Sequence, residues 1–376
     1  MALKGIRVVE FAGLAPAPFC GMILADFGAS IIRIDRKGAN GELDCLSNGK
    51  RSLSLDLKRP ESIEIIRRLI KKSDVSIEPF RNGVMESLGL GPNVLMQDNS
   101  KLIYARLSGY GQSGPYAKKA GHDINFLALS GLLSLFGRKD ENPIFPANLA
   151  ADFGGGGLMC ALGILLALYE REKSGKGQIV DTNMVQGVSY LGSFLYRSQS
   201  LIWGNKRGCN LLDSGAPFYE VYKTKDDKYM AVGAIEGNFY QELLKGLDIS
   251  QEEAPQFNFE QGRKLFTTKF REKTRSEWCN IFEKLDACVV PVLDINETAA
   301  FEHNKAQGTF AQINNEIVPN PSPNLSRTPA ESTAKRNRPS TGEHTFEILK
   351  ELDYEPNEIL KLRDEGVIFY ENKSKL

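Results

Sequence analysis

The first hundred residues alternate between short apolar runs and amphipathic segments, and this alternation constrains the fold most strongly. β-branched runs typical of strands occur at residues 6–11, 30–34 and 75–77, with helix-like segments at 18–27 and 60–72 between them. Helical crossovers make consecutive strands parallel, so the sequence predicts an α/β fold: a large, Rossmann-like domain with a parallel sheet. Ligands of such sheets bind at the carboxyl ends of the strands. Further strands are predicted at 52–55, 102–105 and 178–182.

The pattern changes after residue 208. Alternating runs at 218–222 and 229–232 flank a polar turn and predict a hairpin, and helices are expected near 238–247 and 276–285. We therefore expect two domains and a linker. They are a large α/β domain over residues 1–200 that is completed by 330–376, a small α+β domain over 210–315, and a linker over 314–341 that is rich in Pro, Asn, Ser and Thr.

Charge and hydropathy argue against two classes of partner. Lys plus Arg and Asp plus Glu both number 47, so the chain lacks the basic excess of a nucleic-acid-binding domain. The longest apolar stretch, 154–169, is shorter than the roughly 20 residues that span a bilayer, and it opens with four glycines. It predicts a buried helix, and no membrane span is expected. A second helix is predicted over 184–202.

Metal and disulfide chemistry are not expected either. The six cysteines include no pair at C-x-x-C spacing, and the chain has three histidines, which argues against a structural zinc site. Dispersed cysteines without a secretory leader indicate reduced intracellular thiols. No metal or organic cofactor is predicted.

The chain ends in Ser374-Lys375-Leu376, which matches a receptor-read peroxisomal address. The alternative is a charged tail that ends this way by chance. We expect import into peroxisomes through a receptor that binds this tripeptide, and the sequence leaves additional entry into mitochondria open.

Three residues could carry proton chemistry. His122 follows a glycine-rich turn and precedes an apolar helix, where it could transfer protons or cap the helix through its ring. Asp152 precedes the four glycines and could be an N-cap, or a reactive acid beside bare backbone whose amides would suit an oxyanion. Glu236 lies between a strand and a helix, where acids also occur because the helix dipole favours them.

Basic residues follow three of the predicted strands. Arg36, Lys58 and Arg81 could clamp phosphates together at the carboxyl ends of those strands. Each of them alone could equally be a solvated surface charge.

Several motifs resemble those of the α-methylacyl-CoA racemases, a branch of the type III CoA-transferase superfamily. The resemblance covers nearly the whole chain, and the histidine of the G-H-D-I motif is typical of the racemase branch. The matching segments are Gly13-Leu14-Ala15-Pro16, Asp26-Phe27-Gly28-Ala29, Lys50-Arg51-Ser52-Leu53, Glu78-Pro79-Phe80-Arg81, Ala105-Arg106-Leu107-Ser108-Gly109, Gly121-His122-Asp123-Ile124-Asn125, Ala151-Asp152-Phe153-Gly154, Gly175-Lys176-Gly177-Gln178, Val232-Gly233-Ala234-Ile235-Glu236 and Gly342-Glu343-His344-Thr345.

The resemblance implies an isomerase that interconverts (R)- and (S)-2-methylacyl-CoA thioesters in branched-chain fatty acid and bile acid intermediate metabolism. Inverting a carbon acid requires a base on one face and an acid on the other, so His122 and Asp152 would flank the α-carbon. The intermediate is an enolate. We expect the amides around Asp152 and the glycine run to stabilise its oxygen.

The resemblance also implies an interlocked homodimer in which Glu236 of one chain orients His122 of the other. Coenzyme A enters as part of the substrate and not as a cofactor. The expected substrate- and CoA-binding residues are Arg36, Leu55, Asp56, Leu57, Lys58, Arg81, Gly121, Asp123, Ile124, Asn125 and Phe126.

Two alternatives remain open. The chain could be a CoA transferase that uses Asp152 as a covalent nucleophile, although the transferases lack the histidine of the G-H-D-I motif. It could also be a non-catalytic acyl-CoA-binding protein. Gly237-Asn238 replaces the family's Pro-Gln after the glutamate, which leaves the substrate range open.

Overall fold

The computed structural model describes residues 1–37 and 44–370, and the predicted targeting residues Ser374, Lys375 and Leu376 lie outside this part of the chain. The chain forms two compact units. The large unit comprises Met1–Ser130, Pro146–Leu191 and the residues from Gly308 onward, and the small unit comprises Gly131–Phe145 and Gly192–Gln307.

The large unit contains a seven-stranded sheet in the order β12-β3-β2-β1-β4-β5-β6. All neighbouring strands are parallel except β12, which runs antiparallel to β3. This confirms the predicted α/β class with a large parallel sheet. The strands are β1 Arg7–Phe11, β2 Ser30–Arg36, β3 Arg51–Leu55, β4 Val75–Glu78, β5 Ile103–Ser108, β6 Ile179–Asn183 and β12 Ile368–Phe369.

Helices cover this sheet, and their sequences explain their positions. α2 begins with Pro60, which tolerates the first helical turn because it lacks an N–H, and its apolar side chains Ile65, Ile66, Leu69 and Ile70 are buried. The helices of the large unit are α1 Pro16–Asp26, α2 Pro60–Lys71, α3 Val84–Ser87, α4 Pro92–Asp98, α5 Asp123–Leu129, α6 Met159–Ser174, α7 Met184–Leu191, α13 Thr345–Glu351 and α14 Pro356–Asp364.

The long apolar helix differs from the prediction in two ways. It begins with a π-helical segment, Leu149–Leu158, before α6. It also exposes an apolar face, since Leu158, Leu162 and Leu166 are 49%, 45% and 60% exposed. By length and composition this helix could cross a membrane, but its most apolar window is already 39% buried within the protein.

The glycine run allows the π-helical segment to approach its neighbours closely. A Cβ on Gly155 would lie 2.4 Å from the backbone nitrogen of Val188 in α7, and one on Gly157 would lie 2.7 Å from the carbonyl oxygen of Pro16 in α1. Distances this short exclude a side chain. The bare backbone at Gly155 and Gly157 therefore serves helix packing, and the expectation that the glycine run also receives a ligand stays a prediction.

The C-terminal segment is attached to strand β3, which lies next to the edge strand β12. The backbone N–H of His344 donates to the carbonyl of Ser52 at 3.0 Å, and the N–H of Ser52 donates to Nδ1 of His344 at 3.2 Å. Gly342 donates to the Ser52 hydroxyl at 2.7 Å. The G-E-H-T motif thus holds the end of the chain against the sheet.

The domain boundaries differ from those expected. Residues 131–145 belong to the small unit, where Arg138 forms an ion pair with the buried carboxylate of Glu220. The segment expected as a linker, 314–341, belongs to the large unit and includes part of a hairpin formed by β10 Phe310–Ile313 and β11 Glu316–Pro319. Pairing of these two short strands supplies hydrogen bonds that a linker would lack.

The small unit has an antiparallel sheet of β7 Tyr219–Lys223, β8 Tyr229–Gly233 and β9 Val289–Pro291. Aromatic residues dominate its core, with the Tyr222 and Phe270 rings stacked at 5.0 Å and Trp278 also buried there. The predicted helix over 184–202 breaks at Gly192, between α7 and α8. The helices of the small unit are α8 Ser193–Arg197, α9 Gly237–Leu247, α10 Phe259–Phe270, α11 Arg275–Phe282 and α12 Glu302–Gln307.

Candidate active site

His122 lies at the N-terminus of α5 and is exposed to solvent. Its backbone N–H donates to Oδ1 of Asn125 at 3.0 Å, and its carbonyl accepts from the N–H groups of Asn125 and Phe126. These bonds use the backbone of His122, so this part of the helix cap does not require the imidazole. Gly121 is needed beside it because a Cβ there would lie 2.7 Å from the hydroxyl of Tyr110.

Asp152 lies in the first turn of the π-helical segment and is half-buried. Nδ2 of Asn148 donates to its Oδ2 at 3.4 Å. Burial raises the pKa of the Asp152 carboxyl, and the negative charge of Asp123 raises it further, whereas Asn148 and the charge of His122 lower it. The net effect is a raised pKa, which favours the protonated form more than in a free aspartate.

Asp123 connects these two residues. It follows His122 in the chain, and its buried Oδ2 accepts hydrogen bonds from the backbone N–H groups of Ala151 at 2.7 Å and Asp152 at 2.8 Å. The structure therefore brings His122 and Asp152 into one cluster in the large unit. The amides of Ala151 and Asp152 already donate to Asp123 and are removed from the expected oxyanion site, whereas the part assigned to the glycine run stays a prediction.

Glu236 lies in the small unit, at the residue before α9, and is exposed. Its carbonyl accepts from the N–H of Tyr240 at 2.9 Å, and Gln256 donates to the neighbouring carbonyl of Ile235 at 2.7 Å. These bonds fix the backbone at the helix start. The charge of Glu236 contributes, after burial and Asp286, to a raised pKa of the Cys288 thiol.

Two of the predicted CoA-binding regions meet at the carboxyl ends of the neighbouring strands β2 and β3. Arg36 ends β2 and lies opposite Leu55, which ends the neighbouring strand β3. Leu55 is fully buried, backbone included, which contradicts its expected contact with the ligand, because the core and the neighbouring strands cover it. Asp56 and half-buried Leu57 begin the following turn, in which Oδ1 of Asp56 accepts from the N–H of Lys58 at 3.0 Å.

Arg81 follows β4, which lies on the far side of β1 from β2. Arg36, Lys58 and Arg81 are all exposed, and within residues 1–37 and 44–370 none of their side chains forms an ion pair. Their charges remain available to an anion at the carboxyl ends of the strands.

The residues after Gly121 divide by orientation. Ile124 and Asn125 are exposed, whereas the side chains of Asp123 and Phe126 are buried. The Phe126 ring packs edge-on against Tyr110, with their centroids 5.0 Å apart. The structure thus gives Asp123 and Phe126 supporting contacts inside the protein.

Sequence reasoning missed a buried ion network beside Arg81. Oε1 of Glu78 accepts from Nε of Arg106 at 2.8 Å, Oε2 of Glu78 accepts from the N–H of Phe80 at 2.9 Å, and Arg106 also binds Glu86 at 2.8 Å. Burial raises the pKa of Glu78 to about 7 despite these bonds. Two opposite charges inside otherwise apolar strands are the sequence signal that could have revealed it.

No three His, Cys, Asp or Glu side chains converge as metal ligands in the described ranges, 1–37 and 44–370. The side chains of His122, Asp123 and Asp152 can themselves take part in proton transfer and hydrogen bonding.

Comparisons with known proteins agree with this architecture. Residues 3–345 match the family model of CoA-transferase family III. Two curated relatives are alpha-methylacyl-CoA racemases, from Mus musculus at 54% identity and from Homo sapiens at 53%, each covering 98% of both chains. A solved CAIB/BAIF family protein from Brucella suis is 24% identical, with a TM-score of 0.79, and covers 93% of this chain and 99% of its own; it supports the fold alone. The chain belongs to CoA-transferase family III.

Proposed function

We propose that this protein is an isomerase that interconverts (R)- and (S)-2-methylacyl-CoA thioesters by exchanging the proton on the α-carbon. The two relatives that share more than half of its residues over 98% of the chain bear the name of that activity. The observation that carries the mechanism is the cluster in which Asp123 holds His122 and Asp152 together.

The two side chains divide the chemistry. An exposed imidazole can remove a proton near neutral pH, and a carboxyl group with a raised pKa can return one. The same pair works in the reverse direction when the substrate has the opposite configuration. Each positioned proton transfer contributes about 10²–10⁴-fold to the rate. Donors other than the amides of Ala151 and Asp152 must stabilise the enolate oxygen, since Asp123 occupies those two.

The exposed cations at the strand ends support recognition of CoA. Arg36, Lys58 and Arg81 have no competing ion pairs among the described residues and would bind phosphates. The backbone near Leu55 would contact the base of the nucleotide through half-buried Asp56 and Leu57, because Leu55 itself is fully buried. No further cofactor is required by this proposal.

A homodimer is part of the proposal. The apolar face around Leu158, Leu162, Leu166 and Tyr169 is exposed in the single chain, and burial of such a face favours association. In this arrangement Glu236 reaches the His122 of the partner copy and orients its imidazole.

The protein would act in peroxisomes, where it meets branched fatty acyl-CoA and bile acid intermediates. The support is the terminal tripeptide Ser374-Lys375-Leu376 alone. Removing Leu376 should disperse a fluorescent fusion into the cytosol, and unchanged peroxisomal localisation would contradict the assignment to an import receptor.

The decisive experiment is deuterium exchange. Pure (S)- or (R)-2-methylacyl-CoA in D₂O should take up one deuteron at the α-carbon and lose its configuration when the purified protein is added. A His122→Ala variant should lose most of this exchange while keeping its affinity for CoA, because the proposal assigns phosphate binding to Arg36, Lys58 and Arg81 and not to the imidazole. Exchange that survives this substitution would remove His122 from the mechanism.

The alternatives give different results. A transferase would form an aspartyl thioester at Asp152 that hydroxylamine traps, and would move CoA to a free carboxylic acid. A non-catalytic protein would bind acyl-CoA without label uptake. His122 beside Asp152 favours the isomerase, since a transferase nucleophile has no need of a second proton-transfer group.

A further inference from the structure

The carboxylate of Asp123 has an unusual set of contacts. It is 3% exposed, and its Oδ2 accepts both backbone N–H groups at the start of the segment that carries Asp152. Its Oδ1 is buried without a hydrogen-bond partner among the described residues. No lysine or arginine of the described chain forms an ion pair with it. An aspartate held in this way is stabilised by the first-turn amides and by the positive end of the helix dipole.

The connection it makes is short. From the backbone of His122 one peptide bond leads to Asp123, and from its carboxylate one hydrogen bond leads to the N–H of Asp152. The tie therefore sets the separation between the two proton-transfer groups.

We infer that Asp123 is a positioning residue that holds His122 and Asp152 at the spacing required for proton transfer across one carbon atom. Its buried carboxylate acts through the N–H groups of Ala151 and Asp152. The kinetic consequence of this inference rests on the proposed function. The hydrogen-bonded tie itself does not depend on which reaction the site performs.

The test compares Asp123→Asn with a matched control. Asn fits the same space and can still cap the helix, but it lacks the charge that favours both N–H bonds. The control is Asp26→Asn, because Asp26 is also buried and also accepts a backbone N–H, from Thr333 at 2.7 Å, at a place remote from His122 in the sequence and outside the proposed machinery. Both variants should fold, as shown by circular dichroism.

The kinetic expectation is specific. Asp123→Asn should lower kcat for α-proton exchange by about 10²-fold, the penalty of a small misplacement, with little change in KM, whereas Asp26→Asn should retain the wild-type rate. A rate for Asp123→Asn equal to that of the wild type would overturn the inference, and so would an equal loss in both variants.

The pH profile separates positioning from general destabilisation. In the plot of kcat against pH, the limb that reports ionisation of Asp152 should move to lower pH in Asp123→Asn. The reason is that the negative charge of Asp123 contributes to the raised pKa of Asp152. An unshifted limb would contradict the inference. The charged groups on the elements packed against this segment are His122 and Asp123 at α5, Asp26 on α1, Arg106 on β5, Asp181 on β6, the C-terminal run Glu170, Arg171, Glu172 and Lys173 on α6, and none on α7.

Amide hydrogen exchange tests the tie without any reaction. The amides of Ala151 and Asp152 should be protected in the wild type and exchange faster in Asp123→Asn. Unprotected amides in the wild type would overturn the inference whatever the variants do. If these amides are protected but the wild type takes up no deuterium at the α-carbon, the proposed function fails and the tie remains.

Discussion

At the residue scale, the sequence reveals which groups are reactive but not what holds them. His122 and Asp152 were identified by residue type and motif. The contact of Asp123 with Ala151 and Asp152 joins positions 28 and 29 residues apart, and no local pattern encodes such a distance. From the sequence, Asp123 is expected to contact the ligand because it directly follows His122. Only the fold shows that its carboxylate is buried.

Glu78 provides a prediction for stability against pH. Burial raises its pKa to about 7, above the ordinary value near 4.3 of the unfolded chain. Between these two pKa values the folded state therefore binds more protons than the unfolded state. The stabilisation that protonated Glu78 contributes is fully present at low pH and is lost as the pH rises to 7. Glu78→Gln mimics the protonated form. The difference in the free energy of unfolding between Glu78→Gln and the wild type, measured in urea, should rise in favour of the variant by up to about 3 kcal/mol between pH 4.5 and 7.5.

The matched control is Glu86→Gln, which removes the other carboxylate bound to Arg106. Burial acts to raise the pKa of Glu86, but the hydrogen bond and the charge of Arg106, together with hydrogen bonds from backbone N–H groups, outweigh it and the pKa is lowered. Its stabilisation is present at neutral pH and is lost as the pH falls. The two variants should therefore differ from the wild type with opposite slopes against pH, and parallel slopes would contradict this account.

At the scale of elements, local signals predicted most of the sheet. Strands β1 to β6 and helices α1 and α2 lie close to their predicted positions because their apolar periods and flanking Gly or Pro are strong. Helix α10 was missed because its exposed face is mostly polar, and the β10–β11 hairpin was missed because Pro and Asn mask its short strands. The π-helical segment arises from contacts with α1 and α7, which a local pattern cannot show.

Gly155 should be essential for that contact. Gly155→Ala would place a methyl group 2.4 Å from the backbone nitrogen of Val188, where the backbone cannot move aside as a side chain could. We expect a loss of about 1–3 kcal/mol in the free energy of unfolding, as for overpacking. Gly204→Ala is the control, since nothing lies within 4 Å of its added Cβ, and it should be nearly neutral. Equal stability of the two variants in denaturant titrations would refute the packing argument.

At the scale of the whole molecule, the residues of the proposed mechanism are divided between the two units of the chain. His122 and Asp152 lie in the large unit and Glu236 lies in the small unit. The sequence could assign the three residues to one reaction by resemblance, but which copy supplies Glu236 depends on how chains associate. That choice has a kinetic signature that does not require a structure of the dimer.

Complementation of two inactive variants reveals which copy supplies Glu236. In His122→Ala every site lacks the imidazole, and in Glu236→Gln every site lacks the carboxylate. If Glu236 acts across the interface, a mixed dimer contains one site with both groups intact and one with neither. If it acts within its own chain, neither site of the mixed dimer is complete. Random pairing on co-expression should therefore restore about a quarter of the wild-type exchange rate in the first case.

The measurement is α-deuterium uptake by mixed dimers isolated through two different affinity tags, where half of the sites should be active in the cross-interface case. Each variant purified alone sets the background. Leu166→Glu on both chains should then abolish the recovery, because a carboxylate would break the apolar face that we propose to be buried between copies. Leu360→Glu, on a helix outside that face, should leave the recovery intact. Mixed dimers that are no more active than the background would place Glu236 within its own chain or outside the mechanism.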